Sequence, residues 1–156
     1  MTRLPHLFLK AKLQVNGAVI DGLSSEGLPP KWFTKNPKTL FEEDLPEMLA
    51  AIEHAAKTAV ALGEKESVFG FWNVLYREQD AWSKSEGLPP LLAHLGTSLI
   101  ERAVIDGFCR AKGKPFCVLL RENGLGMDLG RIHSELKGMD VKDFLPPLHG
   151  ALVKNE

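Results

Sequence analysis

The sequence predicts an α+β fold, with an N-terminal antiparallel β-hairpin (a small meander) packed against a bundle of four to five helices. Three observations carry this prediction. Leu7, Leu9, Ala11, Leu13 and Val15 alternate with Phe8, Lys10, Lys12 and Gln14, and Asn16-Gly17 follows at once. Alternation is the period of a half-buried strand, and Asn-Gly between apolar runs is the strongest short hairpin signal. From Asp44 onward apolar residues recur at helical spacing instead. Glycine and proline punctuate those helical stretches at Gly63, Gly87-Leu88-Pro89-Pro90 and Gly113-Lys114-Pro115.

A two-residue turn at Asn16-Gly17 pairs Val15 with Ala18, Leu13 with Ile20 and Ala11 with Gly22, and it sets Lys12 opposite Asp21. Two strands alone are marginal in water, so the hairpin needs a helical layer behind it. Ser24 to Glu43 reads as irregular. A helix then starts with Asp44 as cap and Glu47 reaching back, carries the stripe Leu45, Met48, Leu49, Ile52, Ala55, Ala56 and Ala59, and stops at Gly63. A second runs from about Ser67 to Lys84 with Val68, Phe71, Trp72, Leu75, Gln79 and Trp82 along one side. Leu91 to Leu95 forms a short helical lead into Gly96.

Beyond Gly96, Thr97 or Ser98 caps a third long helix, with Ser98 and Glu101 fitting a capping box. Arg102, Asp106 and Arg110 make a charged row, expected to be its wet face. Ala103, Gly107 and Ala111 make a row of small residues that lets another element approach the backbone. Gly107 in mid-helix costs about 1 kcal/mol relative to alanine, which close packing would explain. Gly113 stops the helix and Pro115 opens the next, Phe116 to Arg121. Leu129 to Leu136 reads as a further short helix, Leu145-Pro146-Pro147 as a linker-like exit, and Val153 to Glu156 as a fraying end. One domain is expected over residues 1–150, with 151–156 as a tail. Glu26-Gly27-Leu28-Pro29-Pro30 recurs as Glu86-Gly87-Leu88-Pro89-Pro90. The flanks differ, so this reads as shared loop chemistry and not as a repeat.

Nineteen basic and twenty acidic residues leave a net charge of −1, which argues against a nucleic-acid partner. The longest apolar runs fall far short of the roughly 20 residues that cross a bilayer. Lys10 and Lys12 interrupt any signal-peptide core. A soluble, cytoplasmic protein with no membrane partner is the expectation. The two cysteines, Cys109 and Cys117, match no zinc or redox spacing. They read as reduced, packed thiols, with a disulfide between them left open.

The chain contains no nucleophile elbow, P-loop, dinucleotide fingerprint or zinc-protease motif. Its five histidines are scattered, and its acidic pairs flank helix starts, where they complement the helix dipole. No catalytic residue and no metal ligand is assigned. The segment Glu26–Phe33 is the candidate site: Trp32 and Phe33 in a proline-rich setting suit contact with a ligand, and Lys31 suits a carboxylate. The alternative, which the residue types favour, is that the aromatics fold down onto the sheet or helices.

The order hairpin, loop, helix, helix, helix resembles the N-terminal capping domain of the enolase superfamily, nearest to its mandelate racemase and muconate-lactonizing branch. Gly22-Leu23-Ser24-Ser25-Glu26-Gly27 is similar to a loosened form of that family's G-x-G-E-like hairpin end. Ser98 to Gly107 and Gly113 to Leu120 are similar to its last capping helix and the G-x-P segment after it. The likeness covers residues 7 to 122. The family domain has three strands, and only two are evident here.

The resemblance implies a lid and substrate-specificity domain with Glu26, Lys31, Trp32 and Phe33 as its substrate-contact loop, inactive alone. Its partner would be a (β/α)-barrel domain in cis or trans, or a second copy through self-association. Mg²⁺ is implied only for a full-length relative whose barrel carries the ligands and the base. Two alternatives stand beside it. One is a stand-alone protein-interaction module. The other is a small enzyme using His54, His94 or Lys31, which requires those groups to converge.

Overall fold

A computed structural model describes residues 4–146. The α+β expectation holds: an antiparallel hairpin packs against five helices. Strands β1 (His6–Val15) and β2 (Ala18–Gly27) pair in the expected register, with Val15 opposite Ala18 and Lys12 opposite Asp21. Asn16 and Gly17 both take positive φ, 51° and 83°, as a two-residue hairpin turn requires. The ion pair to Asp21 comes from Lys10, at 2.5 Å, and not from Lys12 directly opposite.

Helix α1 (Pro30–Phe33) is a single turn, α2 spans Phe41–Ala61, α3 Val68–Ser85, α4 Pro90–Lys112 and α5 Phe116–Arg121. Three 3₁₀ turns follow at Leu129–Arg131, Ser134–Leu136 and Val141–Phe144. The single helix expected over Leu129 to Leu136 is thus two separate turns; Asp128 caps the first through Gly130 N–H, and extended backbone at His133 divides them. Val153 to Glu156 and the 151–156 tail lie outside the described residues.

The Ser24–Glu43 stretch is more ordered than its composition suggests. β2 runs on to Gly27, α1 follows, and α2 begins at Phe41. Glu43, not Glu47, reaches back, its carboxylate accepting from Leu40 N–H at 2.7 Å. Asp44 is therefore inside the first turn, and it is buried. Leu49 is 43% exposed, and Ala51 takes its place in the stripe beside Met48, Ile52 and Ala55. Ser67 caps α3 as expected, accepting from Gly70 N–H at 2.9 Å.

The largest departure is at Gly96. No helix stops or starts there: α4 is continuous from Pro90 to Lys112, and Thr97 is buried within it. Gly96 is where α2 crosses. A Cβ on it would lie 2.5 Å from the Ala51 carbonyl oxygen and 2.6 Å from Ala55 Cβ. The same device joins the hairpin to α4. A Cβ on Gly22 would lie 2.0 Å from the Ala103 carbonyl oxygen and 2.8 Å from Gly107 N. The small-residue row of α4 is thus the seat of β2.

Helix α4 packs against both strands and against α1, α2, α3 and α5. The main core lies along it, formed by Leu28, Met48, Ile52, Leu92, Leu95 and Leu99. Pro30 and Pro90 each open a helix, and the preceding Leu28 and Leu88 meet in that core. The Gly-Leu-Pro-Pro echo is therefore one helix-entry device used twice. Buried Gln79 of α3 fastens the bundle, donating to the Ala51 carbonyl of α2 at 3.0 Å and the Ala93 carbonyl of α4 at 2.9 Å.

The charged row of α4 does more than face water. Asp106 accepts from Leu23 N–H at 2.9 Å, and Arg102 donates to the Ser25 carbonyl at 3.0 Å. Both contacts satisfy backbone groups on the outer edge of β2. Cys109 and Cys117 are both free thiols. Among the described residues, no helix is long and apolar enough to cross a membrane.

Candidate binding cleft

The turn of α1 decides where the candidate residues point. Pro30 opens it and is buried, which anchors the turn that carries Lys31, Trp32 and Phe33. Lys31 swings back over the following loop. Its ammonium donates to Asp44 Oδ2 at 2.6 Å, Thr39 Oγ1 at 2.7 Å and the Asn36 and Thr39 carbonyls at 2.7 and 2.6 Å. That hydrogen bond to Lys31, with a second from Thr39, holds the buried Asp44 carboxyl below its usual range. Lys31 is thus a staple for residues 36–44 and has no donor left for a ligand.

Glu26, Trp32 and Phe33 do meet. With Leu91, His94 and Ser98 of α4 they line an open cleft of about 500 Å³. Trp32 stands 67% exposed at its rim, and Phe33 packs down on the main core. The two roles open to the aromatics in the sequence are therefore divided between them. Glu26 pairs with Arg102 at 3.0 Å, so its charge is already met. A second open concavity of about 660 Å³ lies between the α2–α3 loop and Gly126–Arg131 and holds none of the candidate residues.

His94, which the sequence offered beside His54 and Lys31 for a small enzyme, stands in the cleft wall. Its ring stacks on Tyr76 with centroids 3.9 Å apart and planes 5° apart. Nδ1 lies 3.2 Å from Thr97 Oγ1, while Nε2 is buried without a hydrogen-bond partner, 3.9 Å from Asp80 Oδ1. Burial pushes the imidazole below its ordinary pKa, against the smaller opposing pull of Asp80. The spacing of His94 from Thr97, three residues along a helix, was the only signal in the sequence for this pairing.

His54 is elsewhere, stacked on Trp82 at 4.1 Å, with Nδ1 2.7 Å from Gln79 Oε1. His54, His94 and Lys31 therefore engage three separate sets of partners and make no common acid–base cluster. Among the described residues, no three His, Cys, Asp or Glu side chains are grouped to hold a metal ion. What the cleft offers is apolar, shape-dependent contact: a projecting indole, a fixed aromatic floor and a neutral imidazole. Compared with family models, curated proteins and solved structures, the chain matches none.

Proposed function

We propose that this chain is a substrate-capping module of the enolase-superfamily type. It would cover the mouth of a (β/α)-barrel that carries the reactive groups, with Trp32 and the cleft beside it turned toward the substrate. The observation that carries the reading is the convergence of Glu26, Trp32 and Phe33 on one cleft beside α4. An exposed tryptophan on a rigid turn is the kind of anchor that binding surfaces use. Closure of such a lid excludes water and holds the distal part of a substrate. In this reading Mg²⁺ belongs to the barrel, and the setting is cytoplasmic, in keeping with two free thiols.

The experiment is reconstitution. The chain is mixed with a mandelate-racemase-type barrel stripped of its own capping domain, and association is followed by sedimentation velocity. A one-to-one complex is expected. Trp32→Ala should weaken it by about tenfold or more, while Phe8→Ser, on the far face of the hairpin, should leave it unchanged. Failure of the wild-type chain to associate with the barrel would remove the proposal. A stand-alone interaction module is the second reading, favoured by the apolar outer face of the hairpin, where Phe8 is 80%, Val19 66% and Leu23 52% exposed.

A further inference from the structure

The two edges of the hairpin are treated differently. Leu23 N–H and the Ser25 carbonyl point away from β1, because Asp106 and Arg102 reach them there. In an antiparallel ladder this fixes the other edge: the N–H and C=O groups of Phe8, Lys10, Lys12 and Gln14 point away from β2. Among the described residues none of these groups has a hydrogen-bond partner, and the sheet ends at β1. β1 is ten residues long, holds no proline, and pairs with β2 without a bulge. It therefore lacks most of the features that blunt a natural edge.

The one guard is lysine. Lys10 and Lys12 are exposed on the solvent face, with Phe8 at 80% exposure beyond them. Asp21 meets Lys10 at 2.5 Å, but Lys12 has no ion-pair partner among the described residues. A second copy pairing antiparallel about a two-fold centred on this stretch would set ammonium against ammonium. The edge thus resists its own copies and suits a strand of opposite charge.

We propose that the free edge of β1 docks an extended acidic segment of another polypeptide, added as a third strand. Backbone hydrogen bonds supply the affinity. A carboxylate opposite Lys12 and an apolar side chain opposite Phe8 supply the selectivity. The inference stands apart from the capping reading, since it uses none of the cleft residues.

The probes are two synthetic peptides. The first alternates threonine with glutamate and carries one leucine on the glutamate face; the second has lysine for every glutamate. NMR amide exchange at Phe8, Lys10, Lys12 and Gln14 is the readout. These amides should exchange freely in the isolated chain and become protected with the acidic peptide alone. Lys12→Glu should weaken that peptide by about tenfold or more. Lys10→Pro should abolish protection along β1, because a proline at an outward-facing edge position spares the hairpin's own ladder and blocks an incoming strand. Should Lys10→Pro fail to fold by circular dichroism, Lys12→Glu decides. Equal binding of the two peptides would overturn the proposal. So would amides already protected in the isolated chain, whether by its own terminal residues or by a concentration-dependent dimer.

Discussion

At the scale of single residues, partners decide what a side chain is free to do. Lys31 has the exposure of a ligand-binding cation, but four oxygens already surround its ammonium. Nothing local in the sequence signals this, because its main partner, Asp44, sits thirteen positions away across a loop. His94 is the opposite case, a ring with a buried nitrogen left over. Its folded-state pKa is lowered, chiefly by burial. The unfolded chain, with an imidazole near pH 6.5, therefore binds the proton first. The contribution of His94 to stability is present above that pH and is lost as pH falls through the lowered folded value. Thermal unfolding followed from pH 7.5 down to pH 5 should show this loss, and His94→Phe, which keeps the stack on Tyr76, should flatten the slope. An unchanged slope would exclude His94 as its source.

At the scale of elements, glycine carries two meanings that share one letter. Gly113 ends α4 in the left-handed region, φ 60°, as its place before Lys114-Pro115 suggests. Gly96 reads the same way in the sequence, yet it lies inside a continuous helix because α2 crosses there. Only the partner distinguishes them, and the partner is not in the local sequence. Gly107 was legible because it belongs to a row, Ala103-Gly107-Ala111, whose spacing announces a close neighbour. That neighbour, Gly22, supplies a direct test. Gly22→Ala puts a methyl group 2.0 Å from the Ala103 carbonyl oxygen, so β2 and α4 must separate. A loss of about 3 kcal/mol in chemical denaturation is expected. A loss below half that value would mean that the hairpin rides loosely on α4.

At the scale of the molecule, hairpin, turns and long helices were legible because each rests on periodicity or on turn chemistry within a few residues. The cleft was legible only in part. Glu26, Trp32 and Phe33 stand close together in sequence, but the opposite wall, Leu91, His94 and Ser98, comes from α4 more than fifty residues later. The same separation bears on how the chain is made. β1 and β2 are complete by Gly27, yet the surface they rest on is α4, which ends at Lys112. At synthesis rates of about 5–20 residues per second, that interval leaves Leu7, Leu9 and Leu13 without their seat on α4 for about 4–17 s. Ribosome-bound chains stalled before Pro90 should thus be cut by protease within the hairpin, and chains stalled well beyond Lys112 should resist. The hairpin is finished well before the helix that shelters it, which makes it the natural client of a holding chaperone.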